Sequence, residues 1–292
     1  MEATYSPDCI WQLLWSKHNQ TDNQQEHNLA SGQIKHVQSL GEVVSYHQSV
    51  QQRLPSLYRQ PILFAHRGAS AHAQENTSDA FRLALKLGAT GLETDCWVTK
   101  DLQVVIDHDG FVKRRVPIRF RKTKIADVNA NELDDQIPNF VELLEISSPI
   151  TPVSVDICDP SAMTLIDKLV SDTNSKQDIY ICHPDIELLS SWKKAFPFFK
   201  YVNSIRLSKI YEGPERRCAN LAKNGIDVLN MHHTDWNGGL VALAHRFNVA
   251  AFSWDLQHSE QIVSALLMGV DAVYSDWPDR MSDASRRVFD TA

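Results

Sequence analysis

The sequence predicts an α/β fold of the TIM (β/α)8 barrel class, and three observations carry that expectation. Eight short apolar runs recur between Ile62 and Ser275. Longer amphipathic stretches of helical period separate them, and the chemistry-bearing residues gather at the carboxyl ends of the runs. Eight is the strand number that closes this barrel, and its active groups sit where strands end.

The strands are read at 62–65 (ILFA), 90–95 (TGLETD), 152–157 (PVSVDI), 178–182 (DIYIC), 201–205 (YVNSI), 227–230 (DVLN), 249–254 (VAAFSW) and 271–275 (DAVYS). Between them, helical segments are read at Ser78–Leu87, Phe140–Glu145, Ser161–Val170, Glu187–Ala195, Pro214–Lys223, Asn237–Phe247 and Ser259–Met268. Thr77 or Asn76 is suited to cap the first of these helices. A second extended run, Trp97–Ile106, follows the second strand directly. Its Asp101-Leu102 pair predicts a turn, and so a short hairpin rising above the barrel mouth. Residues 1–60 differ from the rest in being rich in Gln, Asn and His. Val37, Leu40, Val43 and Val44 fall at helical spacing within 34–57, so residues 1–60 read as a helical N-terminal extension that packs on the main domain or mediates assembly, and 61–292 as the barrel.

Composition narrows the function. The 292 residues are 43% hydrophobic, enough for a sizeable core, and carry 29 Lys+Arg against 36 Asp+Glu. A net charge of −7 argues against nucleic-acid binding, which draws on a basic field, but allows a small anionic substrate held by a local positive patch. No apolar run reaches the roughly 18 residues of a membrane span. The N-terminus has neither a basic start nor an apolar segment, and the five cysteines form no CxxC pair, so reduced thiols and a cytoplasmic location are expected.

The chemistry concentrates between Ile62 and Asp109. His66-Arg67 ends the first strand, Glu93 and Asp95 lie on the second, and His108-Asp109 follows the hairpin. Glu93 and Asp95 are two apart on a strand and share a face. Inward charges are costly unless paired or bound to metal, and an all-oxygen donor set suits Mg2+ or Ca2+ rather than Zn2+. His66 and His108 have the near-neutral titration that proton transfer needs. Arg67 offers a planar fork for phosphate oxygens or for a carboxylate at Glu75 or Glu93. Together these groups suit metal-assisted phosphoryl chemistry.

The stretches HRGASAHAQENTSDAF, GATGLETD, TKD and IDHDG resemble the signature of the glycerophosphodiester phosphodiesterase family. FSWDLQHSEQIVSALLMGVDAVYSDWPDRM resembles that family's C-terminal end, and the likeness runs in order from Pro61 to Met281. The resemblance implies a TIM barrel, a divalent cation, and hydrolysis of glycerophosphodiesters to glycerol 3-phosphate and an alcohol. It makes Glu93, Asp95 and Asp156 metal ligands, with Glu75 a further ligand or a group that orients one. Arg67, Asn76 and Trp254 would bind the substrate. Of His66 and His108, one would protonate the leaving alcohol and the other activate water or the substrate's own hydroxyl.

The chain departs from the family pattern in four places. Asp156 and Cys158 stand where a Glu-x-Lys is usual, Gln74 where a proline is, and Leu102 where a turn glycine is. Asp is shorter than Glu by one methylene, roughly 1.5 Å of reach. Cys158 supplies no cation, and losing one preorganised charge costs roughly a hundredfold in rate. Cys158 motivates one alternative reading, a weakened barrel that binds phosphate without turnover; the other is a lysophospholipase D, for which the basic-aromatic run 111–124 and the N-terminal extension would supply the lipid-facing surface. The basic run 113–124, interleaved with Phe111, Val116, Ile118 and Phe120, is either a solvated hairpin or a surface that steers anionic substrates and contacts phospholipid headgroups. The sequence does not fix the oligomeric state.

Overall fold

β1 (Ile62–Ala65) lies between β2 (Gly91–Val98) and β11 (Ala272–Ser275), paired in parallel with both, and so closes the sheet on itself. The computed structural model describes residues 53–116 and 119–290. The other barrel strands are β6 (Val153–Ile157), β7 (Ile179–His183), β8 (Lys200–Ser204), β9 (Val228–His232) and β10 (Ala250–Trp254), each parallel to its neighbour. All eight expected strands are present, with ends shifted by no more than three residues.

Eight α-helices flank the strands among the described residues: α1 (Ser78–Lys86), α2 (Phe140–Ser147), α3 (Ala162–Asp172), α4 (Ile186–Ala195), α5 (Pro214–Lys223), α6 (Gly238–Arg246), α7 (Ser259–Leu267) and α8 (Pro278–Phe289). The first seven match the helical segments read from the sequence. α8 was not among them, because its polar sequence buries only Pro278, Met281 and Ala284, a stripe too narrow to stand out in the pattern.

β2 outlasts its neighbours because Cys96–Val98 pairs antiparallel with β3 (Val104–Ile106), forming the expected hairpin. Its turn is built by Thr99, whose backbone N–H donates to the Gln103 carbonyl, and by Leu102 in the left-handed region (φ 61°). The basic run forms a second hairpin, β4 (Phe111–Val116) with β5 (Arg119–Lys124). Lys122 Nζ lies 4.4 Å from the centre of the Phe111 ring, a cation–π contact.

The core has two layers. Outward-facing strand residues such as Leu63, Leu92, Val153, Ile181 and Val273 pack under the helices. The barrel interior is aromatic: Phe64 stacks on Tyr274 (4.8 Å, 15°) and meets Tyr180 edge-on, while Phe252 leans on Tyr180 at 5.5 Å. Phe64 is fully buried, and truncating it to alanine would cost about 3–5 kcal/mol.

Residues 53–60 cross the barrel floor. Leu54 N–H donates to the Leu267 carbonyl, Asp271 accepts from Ser56 Oγ and from the Leu57 and Tyr58 amides, and Tyr58 packs its ring on Phe252. Residues 53–57, the end of the stretch expected to be helical, have no regular structure here. Pro55 interrupts the helical pattern and tertiary partners take the backbone bonds. The rest of that stretch lies outside the described residues. No described helix is long and apolar enough to cross a membrane.

Candidate active site

The site starts where β1 ends. Beyond His66 come two left-handed residues, Arg67 (φ 53°) and Gly68 (φ 80°). A Cβ on residue 68 would come within 2.7 Å of the Ala80 backbone, so only glycine fits. A non-glycine residue in this region costs about 1–2 kcal/mol, and Arg67 is held there from several sides. Its amide donates to Glu93 Oε2 at 3.0 Å and its carbonyl accepts from the Asn76 amide at 3.0 Å. Its guanidinium pairs with Glu75 at 3.0 Å and with Asp95 at 3.3 Å.

β2 turns Glu93 and Asp95 inward. Asp95 lies opposite Asp156 on β6, and Glu93 opposite Ser154. Glu93, Asp95 and Asp156 each offer an oxygen within 4.8 Å of the others. Burial drives the Glu93 pKa up to about 7, with Asp95 adding to it and His66 and Arg67 opposing. Three carboxylates, two of them on side chains about 5% exposed, converge here beside the guanidinium of Arg67, an arrangement of buried negative charge that a further cation would offset. This donor set fits a hard divalent ion, and Asp156 completes it despite its shorter stem.

Asn76 is left-handed as well (φ 54°). Its amide nitrogen donates to Asp95 Oδ2 at 3.3 Å, and its oxygen accepts from Thr94 Oγ1 at 2.8 Å. Thr77 performs the cap of α1, accepting from the Ala80 amide, which leaves Asn76 to the site. Glu75 stands on Arg67 and outside the three-carboxylate cluster.

The two histidines differ. His66 Nδ1 is 2.7 Å from Asp276 Oδ1, and its Nε2 is 3.9 Å from Glu93 Oε2. Burial and Arg67 push its pKa down, but Glu93 and Asp276 outweigh them and raise it. His108 Nδ1 lies 3.1 Å from Asp109. Burial, then Arg67, lowers its pKa against the pull of Asp95, Glu75 and Asp109. Asp276 was not assigned a role from sequence. The signal that could have found it is its place just past the eighth strand, where an acidic group meets the mouth.

Across the mouth, β9 and β10 end in a second group. Trp254 is buried, with its ring edge-on to His232 at 4.5 Å and the Arg206 guanidinium 5.8 Å from its centre. His232, His233 and Asp255 converge there. His72 pairs with Asp279 at 3.0 Å, and His183 rests edge-on against Trp192. Cys158 is half-buried just beyond β6, its amide donating to the Cys96 carbonyl.

The chain is similar to known phosphodiesterases in sequence and in fold. The family model described as glycerophosphoryl diester phosphodiesterase matches residues 66–137, a span that contains both His66 and His108. A glycerophosphodiester phosphodiesterase of Caldanaerobacter subterraneus is 25% identical over 246 residues, covering 77% of this chain and 98% of that one. A human lysophospholipase D is 34% identical over 131 residues, 38% of this chain, and the match spans only 39% of that protein's length. The crystal structure of an Oleispira antarctica phosphodiesterase, in complex with its product sn-glycerol-3-phosphate, superposes with a TM-score of 0.66 at 19% identity, covering 77% of this chain and 96% of that one.

Proposed function

The chain belongs to the glycerophosphodiester phosphodiesterase family, and on that premise we propose that it hydrolyses glycerophosphodiesters to glycerol 3-phosphate and an alcohol. The observation that carries this reading is the convergence of Glu93, Asp95 and Asp156 beside Arg67 and His66 at the barrel mouth. Those three carboxylates would hold Mg2+ or Ca2+. Such an ion, when bound, supplies positive charge against the charge that develops on the phosphate.

Arg67 contributes a rigid guanidinium fixed by Glu75 and Asp95, and so a preset direction for phosphate oxygens. Asn76 holds Asp95 in place and offers its amide nitrogen at the edge of the cluster. His66 and His108 move the protons, one giving to the departing alcohol oxygen and the other taking from the attacking hydroxyl. Asp276 fixes the His66 ring so that Nε2 faces the cluster. Trp254 provides an apolar wall for the glycerol or headgroup.

A second reading, a lysophospholipase D acting on a lipid that keeps one acyl chain, draws support from the 34% identity to the human lysophospholipase D. The two are separated by measuring glycerol 3-phosphate release from a panel of deacylated glycerophosphodiesters, and choline or ethanolamine release from their lysophospholipid counterparts. Each is run with Mg2+, Ca2+ or chelator and with a His66→Ala control. Metal-dependent release from the water-soluble panel, abolished in the variant, supports the first reading. Turnover of acylated substrates alone supports the second. Tight phosphodiester binding without turnover of either would leave a barrel that binds and does not hydrolyse.

A further inference from the structure

The far rim of the mouth carries a cluster that the phosphodiesterase reading does not use. His232 ends β9, His233 follows it, and Asp255 follows β10. Each offers one ligand atom, and the three atoms lie within 4.8 Å of one another. His232 Nε2 is 2.9 Å from Asp255 Oδ2. Metal–nitrogen bonds near 2.0–2.1 Å put neighbouring ligand atoms of a tetrahedron about 3.4 Å apart, so small side-chain rotations would bring the three atoms to that spacing.

Two of the three, His232 and Asp255, are also held through their second atom, as in built metal sites. The Thr234 backbone N–H donates to His232 Nδ1 at 3.2 Å, and Thr234 Oγ1 lies 2.7 Å from the same nitrogen, so the ring is held with Nε2 facing Asp255. Asp255 Oδ1 accepts from Gln257 Nε2 at 3.3 Å. Trp254 braces the His232 ring edge-on. Asp255 itself occupies the left-handed region (φ 63°), a conformation that costs energy and turns its carboxylate to the histidines. Arg206, on the same rim, is neutralised by Asp235 at 2.6 Å, so it does not set an uncompensated charge against a cation there.

We propose that His232, His233 and Asp255 form a second metal site, for a borderline first-row ion such as Zn2+. Two imidazoles and one carboxylate match Zn2+ in ligand type, whereas the Glu93, Asp95, Asp156 set is all oxygen. Buried His232 with half-buried His233 and Asp255 leaves the fourth position open to water or to a substrate oxygen. The barrel mouth thus holds two cation sites of different chemistry, one at β2 and β6 and the other at β9 and β10.

The test uses the full chain with Mg2+ in excess to occupy the oxygen cluster. Zn2+ is titrated by calorimetry, and Co2+ is used in parallel as a visible-absorbing probe. The wild type, His233→Ala, and a Glu93→Gln/Asp95→Asn double variant are compared. His233 is half-buried, so its truncation spares the core, and unchanged thermal unfolding of the apo-protein checks this. One Zn2+ per chain should bind to the wild type and to the double variant, with a Co2+ spectrum of tetrahedral intensity. In His233→Ala, Zn2+ affinity should fall at least a hundredfold and the Co2+ bands collapse. Equal binding and spectra in wild type and His233→Ala would overturn the proposal. So would Zn2+ binding that disappears only in the double variant, since the ion would then belong to the oxygen cluster.

Discussion

His66 Nδ1 and Asp276 Oδ1 lie 2.7 Å apart, joining the residue after the first barrel strand to the residue after the last. The contact exists only because β1 pairs with β11 and closes the barrel. It fixes the ring so that Nε2 is turned toward Glu93, 3.9 Å away. Asp276→Asn keeps the shape and removes the charge. The expected result is a kcat at least tenfold lower with KM little changed, a share of the roughly 10²–10⁴-fold that His66→Ala should remove. Steady-state kinetics on one glycerophosphodiester checks both, and an Asp276→Asn enzyme with wild-type kcat would remove Asp276 from the positioning role.

The acidic cluster predicts a specific response to charge removal. Glu93→Gln and Asp95→Asn each delete one oxygen charge of the three, so activity should fall by at least a hundredfold and the concentration of Mg2+ or Ca2+ needed for half-activity should rise. Without metal, stability should move the other way. Burial, with a smaller contribution from Asp95, raises the Glu93 pKa to about 7, so replacing it by the neutral amide relieves part of the desolvation cost of the charge. Thermal unfolding in chelator should find Glu93→Gln at least as stable as the wild type, and a markedly lower Tm would contradict the account of this cluster.

Cys158 stands where the resemblance places a lysine, and no other sequence-level substitution bears so directly on phosphate charge. Cys158→Lys should raise kcat/KM for a glycerophosphodiester by roughly tenfold to a hundredfold, the scale of one preorganised donor. The side chain is half-buried at the end of β6, so the longer residue has a route to the mouth. A rate unchanged by the substitution would mean that other groups already balance the phosphate.

The barrel itself was legible because its eight strands are short, apolar and evenly interrupted, and because the strand-end rule assigns Glu93, Asp95 and Asp156 to one mouth without knowledge of their distances. Asp276 was not legible as a partner of His66, since that pairing depends on closure between the chain's two ends. The left-handed backbones of Arg67, Asn76 and Asp255 left no mark in the sequence either, as none of them is glycine. Leu102 is the instructive contrast. The Asp101-Leu102 pair pointed to a turn, and Leu102, which stands where a turn glycine is usual, is left-handed there. Residues 53–57 differ from the helical expectation for a physical reason: Pro55 interrupts the pattern, and Asp271 takes the Leu57 and Tyr58 amides that a helix would have paired internally.

Leu102 makes a stability prediction that leaves the site alone. It is 64% exposed with φ 61°, so it gains little from burial and bears a backbone cost of about 1–2 kcal/mol. Glycine removes that cost but loses roughly 0.5–1 kcal/mol through the greater freedom of the unfolded chain. Leu102→Gly should therefore be neutral to about 1 kcal/mol more stable, and Leu102→Val, with its branched side chain, less stable. Equilibrium urea unfolding of the three chains tests the ordering.

The floor of the barrel predicts an acid transition. Asp271 is fully buried and accepts bonds from Ser56, the Leu57, Tyr58 and Ala251 amides, and His245 at 2.7 Å. Burial alone would raise its pKa, but these donors, led by His245, lower it below the ordinary carboxylate value. A depressed folded-state pKa means the unfolded chain takes up the proton first. The stabilisation is therefore complete above the unfolded value of about 3.9 and is lost as pH falls through the folded one. Asp271→Asn removes the charge yet keeps the shape. It should cost about 1.5–3 kcal/mol at neutral pH, the worth of a charge-assisted bond. The difference from wild type should narrow as pH drops below about 4. Denaturation curves at pH 7, 5 and 3.5 measure this, and a gap that stays constant across them would show that Asp271 does not carry the acid sensitivity of the floor.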